Sequence, residues 1–97
     1  MIFVYKFNED LGEFKEIKVK ENVPLFELLD SNNLLLFVDV HGEKVWVWEG
    51  QNTSTRMKFI SAQEAPKIRD KHDLAFRICS VDDGDETAAF KILVGLI

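Results

Sequence analysis

The fold turns on one stretch, Leu34-Leu35-Leu36-Phe37-Val38-Asp39-Val40, followed across His41-Gly42-Glu43-Lys44 by Val45-Trp46-Val47-Trp48. Successive side chains in a strand point to opposite faces, so a strand with one wet face alternates. These two runs do not alternate: apart from Asp39 they are apolar at every position. Strands of that kind must be covered on both sides. His41-Gly42-Glu43 is a link of hairpin length. The stretch therefore predicts two central antiparallel strands, with one layer of structure above them and another below.

Working toward the N-terminus, Ile2–Phe7 is rich in β-branched and aromatic residues and reads as a strand. Asn8-Glu9-Asp10-Leu11-Gly12 is a turn, with Gly12 free to take a positive φ. Phe14–Lys20 alternates, with Ile17 and Val19 on one face and Lys18 and Lys20 on the other. Lysines on a solvated face suit an outer strand guarded against edge pairing. The two runs form an N-terminal hairpin. Pro24 opens a short helical turn over Leu25–Leu29, since its missing N–H has no partner at a first helical position. Asp30-Ser31-Asn32-Asn33 is a turn.

Toward the C-terminus, Thr53–Asp70 reads as a long helix capped by Thr53 or Ser54. At about 100° per residue, Met57, Ile60, Ser61, Ala65 and Ile68 share its core face. Pro66 removes a backbone hydrogen bond and predicts a kink, or a stop near Ala65 and a restart. Leu74–Val81 alternates, with Leu74, Phe76 and Ile78 facing one way. Asp82-Asp83-Gly84-Asp85-Glu86 is an acidic, solvated turn. Thr87 then caps a short helix ending at Val94, whose apolar side is Phe90, Leu93 and Val94; Gly95 stops it.

The chain has 97 residues, 46% of them apolar, enough for one core without metal or disulfide. Its net charge of −5 and scattered lysines argue against a nucleic-acid partner, which needs a basic face. The single cysteine, Cys79, allows no internal disulfide and suits a reducing compartment. No apolar run approaches the ~20 residues that span a bilayer, and the first residues lack a signal-peptide pattern. The expectation is a cytoplasmic monomer with residues 1–97 as a single domain and no membrane partner.

From Leu34 onward four pieces occur in order. They are the apolar strand ending in Asp39, the hairpin Gly42-Glu43-Lys44-Val45-Trp46-Val47-Trp48-Glu49-Gly50, a capped start to a long helix, and Gly84-Asp85-Glu86-Thr87-Ala88-Ala89-Phe90. In this order they resemble the gelsolin-like repeat. The resemblance implies an α+β fold, a five-stranded mixed sheet sandwiched between one long and one short helix. It also implies actin binding through an exposed face of the long helix, often under calcium control.

Opposite the core face of that helix lie Phe59, Ala62 and Pro66, flanked by Gln63, Arg69 and Asp70. A second apolar stripe on a surface helix marks a contact site, provided Phe59 does not tuck under a loop and Pro66 does not rotate the stripe away. These positions coincide with the face that family members present to actin. The family's calcium site inside the domain needs a carboxylate at the start of the central strand and another on the long helix. Here those positions hold Asn33 or Leu34 and Met57, leaving only the carbonyl of Asp82, so that site is expected to be lost. Asp39, Asp70 and Asp82 remain weak metal candidates, the first two for a calcium shared with a partner. Trp46 and Trp48 must share one strand face, as core against a helix or, less simply, as a binding hot spot.

Catalysis is not expected. Cys79 has no histidine beside it in sequence, His41 and His72 lack metal-ligand spacing, and there is no phosphate-cradling glycine loop or serine elbow. The leading expectation is an actin-binding domain that sequesters monomers or caps filaments, in a simple cytoskeleton of archaeal type. The alternative is a gelsolin-fold interaction module with a non-actin partner.

Overall fold

The computed structural model describes all 97 residues, Met1–Ile97. Five strands form one sheet: β1 (Ile2–Asn8), β2 (Glu13–Ile17), β3 (Leu34–Asp39), β4 (Lys44–Glu49) and β5 (Arg77–Asp82). Two helices, α1 (Thr55–His72) and α2 (Ala88–Val94), and a 3-10 turn at Leu25–Leu28 complete the chain. Strand order is β2-β1-β3-β4-β5. Every pairing is antiparallel except β4 with β5, which is parallel. This is the mixed sheet between a long and a short helix that the resemblance implies.

The two continuous apolar runs are β3 and β4 at the sheet centre. Alternation divides them between two cores. Leu34, Leu36, Val38, Val45 and Val47 face α1, where Ala65, Ile68 and Phe76 pack on them. Leu35, Phe37, Trp46 and Trp48 face α2, packing with Phe90 and Val94. The Phe90 ring meets Phe37 and Trp46 edge-on, with centroids 5.6 and 5.7 Å away. Burying such a ring fully is worth about 1.5–3 kcal/mol. The two indoles are therefore core, not exposed hot spots.

Three expectations are corrected. Strand β2 stops at Ile17, paired with Val4, and Val19 lies exposed beyond it. The chain leaves the sheet edge there so that Leu25, Leu28 and Leu29 can pack on the α2-side core. Leu74 is not in the last strand but 73% exposed in a turn, where the Asp73 side chain accepts from Ala75 N at 2.9 Å and the Asp73 carbonyl from Phe76 N at 3.1 Å. Pro66 neither stops nor restarts the helix, because α1 is continuous from Thr55 to His72. The carbonyl that loses its partner is that of Ala62, on the exposed side where water can serve it, while Ala65 and Ile68 anchor the other side.

The start of α1 is pinned to the sheet by a tight corner. Gly50 N donates to Asn33 O (3.1 Å), Asn52 N to Ser31 O (2.8 Å) and the buried Thr53 hydroxyl to Gly50 O (2.6 Å). A Cβ on Gly50 would overlap the carbonyl oxygens of Ser31 and Asn33, so the approach requires glycine. Ser54, not Thr53, is the cap, its hydroxyl accepting from Met57 N at 3.1 Å.

Candidate protein-binding face

With Ser61, Ala65 and Ile68 buried, the 3.6-residue period turns Phe59, Ala62, Gln63, Pro66, Arg69 and Asp70 outward in one stripe. Phe59 is 64% exposed, and no loop covers it. Ala62, Gln63 and Asp70 are exposed; Pro66 and Arg69 are half-buried. At the C-terminal end of the stripe, Arg69 donates from both Nε and a terminal nitrogen to Asp70 Oδ1, each at 3.0 Å. That pair fixes a planar guanidinium beside the apolar part of the ridge. The same C-terminal end of α1 is held to the sheet by its last residue, His72, which shares a 2.9 Å hydrogen bond with the Tyr5 hydroxyl and packs on the Phe3 ring. Burial, and behind it the charge of Glu16, pushes the Tyr5 hydroxyl above its ordinary pKa. Tyr5 therefore stays protonated and able to donate.

The metal candidates do not converge. Asp39 Oδ1 accepts from Gly42 N at 3.1 Å and closes the β3–β4 hairpin. Asp70 is engaged by Arg69 on the far side of α1. Asp82 lies opposite Glu49 across the β4–β5 pairing. No group of three or more His, Cys, Asp or Glu side chains is placed to hold a metal. At the positions the resemblance assigns to the intradomain site, Asn33 or Leu34 and Met57, no carboxylate is present: Leu34 is fully buried hydrocarbon and Met57 packs its thioether on the α1-side core. These residues do not fit calcium, a hard cation that wants several oxygens.

The acidic turn after β5 is only partly solvated, contrary to the sequence reading. Asp83 Oδ2 accepts from the Ser31 hydroxyl (2.6 Å) and from Gln51 N (3.0 Å). Glu86 accepts from the Trp48 indole (2.9 Å) and Gly84 N (3.1 Å). These carboxylates tie the end of β5 to the corner that starts α1. Sequence alone missed them because their partners lie far away in the chain; the one signal was the unsatisfied donor that a buried Trp48 must carry. Cys79 packs with the α2-side core, whereas His72 lies on the α1 side, so the sheet separates them.

No protein-family model matches the sequence, and no curated protein matches it. Solved structures do. Thorarchaeota ProGel, solved in complex with rabbit actin, superposes with a TM-score of 0.79 at 23% identity, over 98% of this chain and 100% of that one. Thorarchaeota 2DGel3, also solved with rabbit actin, gives a TM-score of 0.65 at 21% identity, over 92% of this chain and 43% of that one. The chain has the gelsolin-like fold. At such identities the likeness establishes architecture. The chain spans the whole of ProGel and less than half of 2DGel3. Within that fold, the stripe from Phe59 to Asp70 is the long-helix face, and no helix is long and apolar enough to cross a membrane.

Proposed function

We propose that this domain binds actin or an actin-like protein through the outer face of α1, and that it acts on filament dynamics by sequestering monomers or capping ends. The observation that carries the reading is an exposed phenylalanine, Phe59, on the outward face of the long helix in a fold whose solved neighbours are complexes with rabbit actin. Phe59 is the apolar anchor, with Ala62 and Pro66 extending it along the helix. Gln63, Arg69 and Asp70 supply the polar rim that sets register. This is helix-in-groove recognition, with anchors at i, i+3 and i+7. One ridge offers one main site, which favours sequestering or capping over severing. The role is that of a cytoplasmic, non-catalytic monomer, and it does not depend on a calcium ion inside the domain. Of the three metal candidates, only Asp70 lies on the ridge, where a cation shared with a partner carboxylate would sit.

The test is a pyrene-actin polymerisation assay at two calcium levels, with actin co-sedimentation. Phe59→Ala is expected to weaken binding by about 30-fold, as loss of a hot spot worth about 2 kcal/mol would. Its melting temperature should barely move, because exposed substitutions cost within about 0.5 kcal/mol. Wild-type protein without effect on actin at micromolar concentration, at either calcium level, would overturn the reading in favour of a non-actin partner.

A further inference from the structure

We propose that the groove beside the 3-10 turn, with the lysine row leading into it, is a second docking surface that takes an acidic, apolar peptide segment of a partner protein. The groove has a volume of about 280 Å³, just under the size of small-molecule sites. It suits an anchoring side chain better than a cofactor. Val19, Val23, Pro24 and Leu25 form its apolar wall, and Lys18 and Lys20 stand at its rim. Val19 and Val23 are each more than a third exposed.

The charge around it is unusual for a chain with a net charge of −5. Lys6 lies directly opposite Lys15 across the β1–β2 pairing, both lining a shallower groove with Ile17, the residue before Lys18. Like charges directly opposite on a sheet are destabilising, and an anionic partner relieves them. Lys15 reaches Glu13 at 3.2 Å, a pair exposed on both sides. Lys6, Lys18 and Lys20 have no carboxylate within ion-pair distance. In the groove itself, Lys18 and Lys20 stand against one carboxylate, Glu27.

The occupant follows from shape and charge together. The net negative charge disfavours nucleic acid. A flat or convex apolar face would insert into a bilayer, whereas this apolar wall is recessed behind lysines. A peptide presenting an apolar side chain between carboxylates satisfies both features. The surface is also separate from the α1 ridge. Leu25 and Leu28 pack on the α2-side core, across the sheet from α1. Both surfaces can therefore be occupied at once, which would make the domain a bridge between two partners.

The test uses fluorescence polarisation of a short labelled peptide alternating leucine with glutamate, a leucine–lysine counterpart, and vesicles of phosphatidylserine with phosphatidylcholine. The glutamate peptide should bind wild type and prefer it clearly over the lysine peptide. K18E/K20E should weaken binding on the order of tenfold or more, and the neutral substitution Val23→Ser should weaken it without any change of charge. All three positions are exposed, so melting curves and retained α1-face binding verify folding. Equal binding of the two peptides, no binding of the glutamate peptide, or an unchanged affinity in K18E/K20E would overturn the proposal. Vesicle capture without peptide binding would replace it with a membrane surface.

Discussion

At the scale of single residues, the two shifted carboxyls near the β4–β5 end pull in opposite directions. Burial first, and then the facing charge of Asp82, pushes the Glu49 carboxyl above its ordinary value, against a smaller opposing effect of Lys58. The folded chain therefore holds more protons there than the unfolded one, and stability falls as pH rises through the folded value. Glu49→Gln should melt higher than wild type at pH 7, with the advantage fading as pH falls through the raised folded value and gone below the usual glutamate value of about 4.3. Thermal melts across that range check it, and a difference constant with pH would refute the assignment. Glu86 has the reverse sign. Burial alone would raise it, but hydrogen bonds from the Trp48 indole and from backbone N–H groups outweigh that and lower it. Its contribution is present above the ordinary glutamate value and is lost as pH falls through the depressed one.

At the scale of elements, α1 carries both the proposed binding ridge and a proline that propensity disfavours. The helix survives because its ends and its core face hold it. Ser54 caps the start, while Arg69, Lys71 and His72 place basic groups in the last turn, where the helix dipole favours them. Pro66→Ala restores a donor to the Ala62 carbonyl and should stabilise the domain by about 1–3 kcal/mol. For a domain of this size that is a rise of roughly 4–8 °C in Tm per kcal/mol, read by calorimetry. An unchanged Tm would mean that the surrounding packing already absorbs the cost of the proline. The same variant removes an apolar contact from the ridge, so actin binding should weaken while stability rises. Opposite movement of the two readouts separates a binding role from a structural one.

At the scale of the whole molecule, one sheet divides two cores, and each layer leaves a different surface outside. The α1 layer presents a ridge. The α2 layer, with the 3-10 turn, leaves the β1–β2 corner uncovered and so presents the groove with its lysines. The positions the resemblance assigns to calcium ligands, Asn33 or Leu34 and Met57, carry no carboxylate. Millimolar calcium, or its removal by chelator, should leave the Tm of the isolated domain unchanged. A site at a hundredfold excess over its Kd would raise stability by about 2.7 kcal/mol, a shift that calorimetry could not miss.

How much of this was legible depends on the distance over which each feature is decided. Local period and local capping were readable: the doubly covered strands β3 and β4, the core face of α1, the Thr87 cap and the Gly95 stop, with φ +88°. The stripe from Phe59 to Asp70 was also visible, because helical spacing alone puts those residues opposite Ser61, Ala65 and Ile68. What the amino-acid order by itself determined, then, is the succession of elements and the side each one buries, since a repeat of 2 or 3.6 residues acts within a few positions. Only the tertiary structure decided that Phe59 stays uncovered, that Leu74 falls outside the last strand, that Asp83 and Glu86 turn inward, and that Lys6 faces Lys15 while Lys18 and Lys20 line the groove beside the 3-10 turn. Those outcomes depend on register and layer packing between residues far apart in the chain, and no local repeat carries that information.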